Sequence, residues 1–468
     1  MTALFLFTHD LRLTDNPGLA SAARDHAQII PAYVLDECDP WAPGGASRWW
    51  LYHSLKSLAH DLDAAGGRLL LKRGDYVDSV IDLAQTLNVK AVYFSRAYEP
   101  WLSEQQYSIR QKLGQLGIDC KRFAGRLLLE PEQIHNQQGK PFQVFTPFYK
   151  HALKTYTMAP PITKPALNLL IPKTKGDLLS SWNLLPKRPN WAKSFIEQWQ
   201  PGESGAQKTL QEDLEDIIQH YPDLRDLPAA AGTSKLSPAL HFGEISPRQI
   251  WHQAKNNSPH AELSEPFLRQ IMWREFSYYL LHHWPSIPTQ PFKEKFGHFP
   301  WHKSKNNLTA WQQGKTGYPI VDAGMRELWQ TGWMHNRVRM IVASFLTKHL
   351  RIHWLEGAKW FWDTLVDADL ANNSAGWQWV AGSSADAAPY FRIFNPILQG
   401  EKFDSRGDYI RRWVPELKSL PSKFIHQPWQ ASQPELKKAN VTLGGNYPFP
   451  IVDHKAAREE ALYAYKQI

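Results

Sequence analysis

The sequence has little cysteine: only Cys38 and Cys120 occur among its 468 residues. Two cysteines far apart cannot supply a disulfide framework, a four-cysteine zinc site or an iron–sulfur cluster. A chain of this length buries enough apolar surface to fold without such cross-links. The scarcity of cysteine favours a reducing, intracellular compartment, and we expect a cytoplasmic protein without a metal site.

Long hydrophobic runs are also missing. The apolar start Leu4–Phe7 is followed at once by His9 and Asp10, so it is too short for a secretory signal. No stretch reaches the ~18 consecutive apolar residues of a membrane span. We therefore expect a soluble protein with no membrane partner.

Several common cofactor and hydrolase motifs are absent as well. The chain has no GxGxxG turn for a dinucleotide and no GxSxG nucleophile elbow. Gly314-Lys315-Thr316 resembles the end of a P-loop, but Thr309 stands where that motif requires its first glycine. His298 and His302 have the spacing of a helical metal site, but Pro300 lies between them.

Tryptophan, in contrast, is abundant, with 21 residues, and the formal net charge is +8. Tryptophan is large and its N–H needs a partner, so cores use it sparingly. Composition leaves open a Trp-rich helical core, base stacking, binding of a ring cofactor and electron transfer. The charge is compatible with a polyanionic partner such as nucleic acid, and equally with simple solubility.

The first third of the chain alternates short apolar runs with amphipathic stretches. The runs predict strands buried on both faces of a sheet: Ala3–Phe7, Ile29–Leu35, Arg68–Leu71, Ala91–Phe94 and Cys120–Phe123. The stretches between them predict helices: Ser47–Ala64, Tyr76–Leu87 and Trp101–Leu116. This alternation predicts a doubly wound, parallel-sheet (Rossmann-like) α/β domain, which we assign to residues 1–130.

The rest of the chain has a different pattern. Residues 131–204 predict a long interdomain linker, because prolines break any regular element in its second half. From residue 205 to 468 the pattern predicts an all-helical domain. Its helical segments are Leu210–His220, Pro247–Ala254, Glu265–Leu281, Asp322–Thr331, Asn336–His349 and Ala358–Leu365.

Four segments of the helical part carry polar groups suited to a ligand. Gly232–Pro238 offers hydroxyls and backbone N–H groups for a phosphate, although an ordinary helix cap explains it equally well. Gln270, Trp273 and Arg274 share a helix face that suits a base, or else form a half-buried helix with Trp273 inward and Arg274 outward. The segments 333–340 and 367–379 combine charged, amide and aromatic side chains.

Six motifs together identify a family resemblance. GTSKLSP, WREF, TGYPIVDAGMRELWQTGWMHNRVRM, DADLANN, GWQW and APYFRIFNPILQGEKFD, in this order, resemble the photolyase/cryptochrome family, and in particular class I cyclobutane pyrimidine dimer DNA photolyases. The similarity covers almost the whole chain, including FTHDLRLTDNPGL near its start.

The resemblance implies that the helical domain binds FAD. The cofactor-binding positions that match are Tyr221, Thr233, Ser234, Lys235, Leu236, Ser237, Arg274, Asn336, Arg339, Asp367, Ala368, Asp369 and Asn373. Asn373 matches the residue that faces the flavin N5 atom, and the loop 233–237 matches the phosphate contact. Trp377, Trp354 and Trp311 match a tryptophan chain that passes electrons from the surface to photoexcited flavin.

The resemblance also implies a reaction on UV-damaged DNA. Light excites reduced FAD, one electron passes to a pyrimidine dimer flipped out of the duplex, the cyclobutane ring splits, and the electron returns. The lesion- and DNA-binding positions that match are Arg225, Gln270, Trp273, Asn336, Arg337, Met340, Trp379, Arg392 and Gln399. Asn336 and Met340 indicate cyclobutane dimers, because enzymes that repair the 6-4 photoproduct carry histidines there.

One residue departs from the family pattern. Cyclobutane photolyases usually have a glutamate at the position of Gln270. A glutamine keeps the size and a hydrogen-bond donor but cannot deliver a proton, so we expect retained but altered repair. A cryptochrome-type photoreceptor that signals through flavin redox state is the alternative function, and repair of 6-4 photoproducts is a third.

The α/β domain of the family usually holds an antenna chromophore. Arg48, Glu99 and Trp101 resemble the pocket of a deazaflavin or flavin more than that of a folate. We expect a second chromophore there and a monomeric protein.

Overall fold

The computed structural model describes residues 1–256, 261–386 and 391–468. The strands are β1 (Thr2–Phe7), β2 (Gln28–Leu35), β3 (Leu70–Arg73), β4 (Ala91–Ser95) and β5 (Asp119–Phe123). The helices of the first half are α1 (Pro17–Asp25), α2 (Gly45–Ala64), α3 (Tyr76–Thr86), α4 (Pro100–Gln115), α5 (Phe145–Thr155), α6 (Phe195–Gln198), α7 (Glu203–Lys208) and α8 (Leu214–Leu224).

The later part of the described chain is helical. Its helices are α9 (Ser237–Phe242), α10 (Pro247–Asn256), α11 (Ala261–His283), α12 (Lys305–Gln312), α13 (Pro319–Thr331), α14 (Asn336–Ser344), α15 (Trp354–Thr364), α16 (Leu370–Ala381), α17 (Pro396–Phe403), α18 (Asp408–Trp413), α19 (Gln433–Lys438) and α20 (His454–Tyr465). A π-helical turn, Thr209–Asp213, precedes α8, and another, Phe345–His349, follows α14. The six segments predicted to be helical are therefore confirmed, with shifted ends.

The five strands form one parallel sheet in the order β3-β2-β1-β4-β5. Central strand β1 pairs Leu4 with Ile30 of β2 and with Val92 of β4. The three central strands are apolar because helices cover both faces of the sheet. The sheet confirms the predicted doubly wound α/β fold.

The two edge strands differ from the prediction. β5 is not buried on both faces, since Asp119, Lys121 and Arg122 are exposed. β3 begins at Leu70, two residues later than predicted, and the backbone N–H of Asp177 donates to the Leu71 carbonyl at 2.8 Å. Because an edge strand has a neighbour on one side only, its pattern carries less of the apolar signal that marks a central strand.

The segment predicted as a linker contains a helix. Phe145, Phe148, Tyr149 and Ala152 of α5 are all buried and recur at helical spacing. Among the described residues from 156 to 194, in contrast, only the single turn Leu179–Trp182 is helical, in agreement with the proline content. The domain limits themselves remain a prediction.

The chain divides into two compact units. The first unit comprises Met1–Gln219, Ser234–Pro285 and Val366–Ala371. The second unit comprises His220–Thr233, Ser286–Leu365 and Asn372–Ile468. The first unit holds the sheet together with α9, α10 and α11, and the second holds α12 to α15 and α17 to α20.

Within the first unit, the loop after β1 fixes the end of α9. The buried Arg12 donates to the carbonyl oxygens of Gly243 at 2.9 Å and Gly125 at 3.0 Å. Gly243 has φ +67°, and a Cβ there would lie 2.0 Å from the carbonyl oxygen of His9. Only glycine allows this close approach, which places α9 beside the residues that follow β1.

Candidate functional site

Asp369 is a buried carboxylate of the first unit. The Tyr278 hydroxyl of α11 donates to its Oδ2 atom, and Nδ1 of His241 on α9 lies 3.4 Å from the same oxygen. Burial alone would raise the pKa of Asp369. The hydrogen bonds from His241 and Tyr278, with the charges of His241 and Arg274, outweigh burial and hold this pKa well below its ordinary range. Asp369 is therefore an ionised hydrogen-bond acceptor.

A buried ion pair lies next to this carboxylate. Nη1 and Nη2 of Arg126 donate to the two Glu99 oxygens at 2.9 and 2.8 Å, and both side chains are buried. Nη2 of Arg126 also donates to the Tyr278 hydroxyl at 3.3 Å. Burial would raise the pKa of Glu99, but Arg126 lowers it below its usual range. The predicted antenna residue Glu99 is thus fully engaged in the protein interior.

Arg274 points into the first unit. Its Nη1 donates to the Arg126 carbonyl at 3.0 Å and to Glu275 at 3.2 Å, and its guanidinium lies 4.8 Å from the centre of the Tyr278 ring. Glu275 accepts backbone N–H groups from Leu128 and Leu129, while burial raises its pKa to about 7. The alternative with Arg274 outward and Trp273 inward is wrong, because the arginine is the more buried of the two.

The predicted phosphate loop leads directly into α9. Lys235 adopts φ +51° and its ammonium lies 5.9 Å from the centre of the Trp199 ring. Ser237, the first residue of α9, donates its hydroxyl to Asp367 at 2.6 Å. The structure therefore brings together Ser237 and Asp367, two of the positions matched to FAD.

Trp273 is half-buried on α11 and stacked against Phe145 of α5. The ring centres are 3.6 Å apart and the planes meet at 9°. The guanidinium of Arg269 lies 5.1 Å from the Phe145 ring centre and 5.0 Å from that of Tyr149. Phe145 covers one face of the indole and fixes its orientation, so a flat ligand has only the other face to stack on.

Gln270 lies one turn before Arg274 on the same helix. Its side-chain Nε2 donates to the Pro266 carbonyl at 3.2 Å. One N–H of the amide is therefore used within α11, and among the described residues no other hydrogen bond to this side chain is seen.

The other predicted antenna residues lie on two helices of the first unit. Arg48 on α2 pairs with Glu37 at 2.9 Å and donates to the Pro43 carbonyl at 3.0 Å. Trp101 is the second residue of α4 and is half-buried. Glu99 precedes that helix as its N-cap residue.

In the second unit, α14 carries four of the predicted positions. Asn336 is its first residue, and His335 caps it by accepting the Arg337 N–H at 3.2 Å. Burial, the largest effect, lowers the pKa of His335 to about 4. Arg339 donates to the Met334 carbonyl at 2.7 Å and lies over the Trp333 ring.

Two predicted DNA-binding arginines share one carboxylate. Arg337 donates to Asp226 at 2.8 Å and also contacts Met340, while Arg225 lies 3.9 Å from the same Asp226 oxygen and stacks over Tyr221. Two guanidinium groups against one carboxylate leave a net positive charge, which suits a phosphate backbone.

The three tryptophans of the predicted electron-transfer chain share one property. Trp377, Trp354 and Trp311 are all buried, and Trp311 has no exposed surface at all. Trp311 lies 6.2 Å from Trp377, measured between ring centres. The Trp311 ring therefore does not itself reach solvent.

Trp301, a half-buried tryptophan that the family resemblance did not indicate, lies in a series of ring contacts that leads to Trp354. The ring centre of Trp301 lies 5.1 Å from that of His353, which lies 5.7 Å from that of Trp354. The ring centre of Trp377 in turn lies 5.0 Å from that of Phe361. Phe361 belongs to α15, the helix that begins with Trp354. The signal available in the sequence was the polar stretch His302–Asn307 that follows Trp301.

Asn373, on α16, donates Nδ2 to the Ala358 carbonyl at 3.0 Å. This bond fixes the plane of the amide and identifies which of its ends is the nitrogen, so Oδ1 and the second N–H point away from the Ala358 carbonyl. Such a fixed amide suits contact with a ring nitrogen of a cofactor.

Trp379 and Arg392 line a small cavity of the second unit with a volume of about 20 Å³, roughly enough for one water molecule, and Ser344, Lys348 and Phe394 are among the other lining residues. Lys348 is buried, donates to the Ala381 carbonyl at 2.6 Å and lies 3.2 Å from the Phe391 ring centre. Burial lowers its pKa far below the ordinary value.

Two further predicted DNA-binding positions follow α16 in the chain. Arg392 is exposed and lies 4.9 Å over the Phe394 ring, and Gln399 is half-buried on α17. Ala388, Pro389 and Tyr390, at the start of the last family motif, lie outside the described residues.

The described residues contain no group of three or more histidine, cysteine, aspartate or glutamate side chains suited to a metal ion. Within the same ranges, no helix is both long enough and apolar enough to cross a membrane.

Comparisons with known proteins agree on one family. The family model described as DNA photolyase matches residues 3–166, and the one described as FAD binding domain of DNA photolyase matches residues 267–467. A deoxyribodipyrimidine photo-lyase of Agrobacterium fabrum is 48% identical over 99% of this chain and 97% of its own. Cryptochrome-2 of Arabidopsis thaliana is 38% identical over 97% of this chain and 77% of its own.

A solved structure extends the likeness to three dimensions. It is described as a bacterial class III photolyase from Agrobacterium tumefaciens, is 48% identical, covers 100% of this chain and 97% of its own, and superposes with a TM-score of 0.96. The sequence had suggested class I, whereas this similar structure is described as class III.

Proposed function

We propose that this chain, which belongs to the photolyase/cryptochrome family, repairs cyclobutane pyrimidine dimers in UV-damaged DNA. The family models and the 48% identical Agrobacterium enzyme support an FAD-dependent lyase. The dimer specificity rests on Asn336 and Met340. Because identity to the class III photolyase extends over the whole chain, we assign the chain to that class rather than to class I.

Each unit, taken by itself, carries polar groups suited to parts of an FAD molecule. Asp369 is an ionised acceptor for an N–H or hydroxyl group, and Asn373 presents an oriented amide. Lys235, in the loop before α9, supplies a positive charge suited to phosphate, while the Ser237 hydroxyl at the start of α9 donates to Asp367 and orients that carboxylate. Tyr221, Arg274, Asn336, Arg339 and Asp367 complete the proposed set.

Reduced FAD supplies the electron for ring splitting when it absorbs light. The protein's part is to bind and orient the damaged bases. Trp273 offers one indole face, held in place by Phe145, on which a flipped-out pyrimidine stacks for about 1–3 kcal/mol per base. Gln270, on the same helix, offers a carbonyl oxygen and an N–H to the pyrimidine edge.

DNA affinity comes from arginines that bind phosphates. Arg225 and Arg337, which share Asp226, and the exposed Arg392 supply positive charge without reading sequence. Binding should therefore weaken as the salt concentration rises. Within the second unit, Trp379 and Gln399 are the residues proposed to contact the lesion.

The half-buried indole of Trp273, which stacks against Phe145, is the observation that carries this proposal. The test is blue-light repair of a thymine-dimer oligonucleotide by the wild type, by Gln270→Glu and by Trp273→Ala, with Trp329→Ala as a control at an exposed tryptophan. We expect repair by the wild type, a changed rate in Gln270→Glu and a loss of about tenfold or more in lesion affinity for Trp273→Ala. If the wild type and Gln270→Glu both bind FAD and neither repairs the dimer, the proposal fails. A defined 6-4 substrate tests the other lesion.

Electron supply from the surface is proposed to run through Trp301, Trp354 and Trp377. Replacement of Trp301 by phenylalanine should slow flavin photoreduction in the presence of an external reductant. The same change at Trp311, whose ring is enclosed, should affect it less. A reversed order of the two variants would return the role to Trp311.

A cryptochrome-type photoreceptor is the second candidate, favoured by 38% identity to an Arabidopsis cryptochrome. It predicts light-dependent flavin chemistry without dimer splitting, so the repair assay separates the two. The antenna is proposed to be a deazaflavin or flavin near Arg48 and Trp101, and mass spectrometry of extracted chromophores identifies it.

A further inference from the structure

A continuous set of buried hydrogen bonds runs from Glu99 to Asp369 in the first unit. Glu99 is bound bidentately by Arg126, Arg126 donates to the Tyr278 hydroxyl at 3.3 Å, and Tyr278 donates to Asp369. All four side chains are buried. A charge in such surroundings acts strongly on its neighbours, since little water screens it.

We infer that Glu99 and Arg126 are positioning residues for the proposed flavin acceptor Asp369, and that Glu99 does not bind the antenna chromophore. The inference rests on the proposed binding of FAD at Asp369. Glu99 has both carboxylate oxygens on Arg126 and one of them also on the Tyr98 N–H at 3.1 Å, so its polar atoms face the interior. The pair acts on Asp369 through the Tyr278 hydroxyl.

The charges of the pair have opposite expected effects. The positive charge of Arg126 favours the ionised form of Asp369. The negative charge of Glu99 disfavours it and offsets part of the effect of Arg126. The other charged and titratable groups around Asp369 belong to separate elements: His241 of α9, Arg274 of α11 and His9 of the loop after β1. The pair is therefore one of several influences on Asp369. Because Arg126 and Glu99 carry opposite charges, neutralising both leaves the net charge unchanged, as it would for Arg274 and Glu275.

The closing experiment measures the midpoint potential of bound FAD in the holoprotein. Glu99→Gln adds net positive charge beside Asp369 and should shift the potential to more positive values, whereas Arg126→Gln should shift it to more negative values. Each shift should correspond to about fivefold or more in the ratio of affinities for reduced and oxidised FAD. The double variant should return close to the wild type.

Glu244→Gln is the matched control when the potentials are measured at about pH 9, because burial raises the pKa of Glu244 to about 7 and the carboxylate is ionised there. Glu244 is a buried carboxylate of the same unit that accepts from Trp50 at 2.9 Å and from the Gly202 N–H at 2.8 Å, outside the set that leads to Asp369. Its replacement should leave the flavin potential unchanged. Arg48→Ala, in turn, should reduce the content of the second chromophore and leave the potential as it is.

Each outcome decides a separate point. Unchanged potentials in both single variants, or shifts of the same sign, overturn the inference, as does loss of the second chromophore in Glu99→Gln. If a single variant does not fold, Tyr278→Phe keeps the ion pair and cuts its connection to Asp369. Loss of this hydrogen bond should raise the pKa of Asp369 and change the midpoint potential of bound FAD, whereas a potential equal to that of the wild type would refute the connection. A wild type that binds no FAD refutes the proposed function instead.

Discussion

The two units bury charge in different ways. In the first unit, Glu99, Arg126 and Asp369 are ionised groups that each have an oppositely charged or hydrogen-bonding neighbour. In the second unit, Lys348 is equally buried, but among the described residues only a carbonyl oxygen and an aromatic ring contact its ammonium. The pKa shifts follow the difference, since burial dominates at Lys348 and the partners dominate at Glu99 and Asp369.

The comparison shows that burial alone does not decide the charge state of a group. Desolvation opposes ionisation in both units, and its outcome depends on whether the fold supplies a compensating charge. A balanced set keeps fixed charges, which can act on a cofactor. An uncompensated amine loses its charge more easily and then serves mainly as a hydrogen-bond donor.

The largest effect is expected when the balanced set is broken. Arg126→Met leaves the Glu99 carboxylate buried without its ion-pair partner and should lower the free energy of unfolding by about 3–5 kcal/mol. Urea denaturation followed by circular dichroism measures the change. The double variant with Glu99→Gln should recover most of it, and a loss as large as in the single variant would contradict the account of a paired site.

A smaller, pH-dependent effect is expected at Lys348. Its pKa is lowered in the folded protein, so the unfolded chain binds the additional proton between the folded and the unfolded pKa. Stability should therefore rise with pH in that window, by up to about 1.4 kcal/mol per pH unit, and be lost as the pH falls.

Lys348→Met should remove this slope, whereas Lys359→Met, at an exposed lysine of α15, should keep it. Unfolding free energies from about pH 7 to 9 provide the measurement. Equal slopes in the wild type and in Lys348→Met would show that the lysine is compensated after all.

The smallest effect is expected at an exposed ion pair of the second unit. Arg351 donates to Glu460 at 2.8 Å, but the glutamate side chain is 61% exposed. Water and salt screen this pair, so Glu460→Gln should change the unfolding free energy by no more than about 1 kcal/mol. A change in unfolding free energy as large as that of Arg126→Met would mean that burial does not determine how strongly an ion pair stabilises this fold.

The sequence predicted the sheet and the long helices because their apolar periods are strong. It missed α5, because prolines beyond residue 155 dominated the interpretation of the whole segment, and with α5 it missed Phe145, the partner of Trp273. Local patterns also describe which residues are apolar but not which are enclosed. Trp301 and Trp311, ten positions apart, therefore looked alike, although only Trp301 is partly exposed.

The site shows the same limit for charged residues. The family motifs indicated both Asp369 and Glu99, but assigned Asp369 to FAD and Glu99 to the antenna chromophore. Their connection runs through Arg126 and Tyr278, which are separated by 152 positions in the chain. A contact of this kind depends on tertiary packing, which spacing in one sequence does not encode.

The two edges of the sheet have a consequence for how copies of this chain meet each other. An open strand edge is a template for pairing with another chain, and such pairing leads to aggregates. Here β5 presents exposed Lys121 and Arg122 along one edge, and the N–H of Asp177 already occupies the Leu71 carbonyl of β3 at the other. Like charges at one edge and an occupied acceptor at the other both oppose the addition of a strand. Edge-to-edge aggregation should therefore be weak even at a high concentration of this protein.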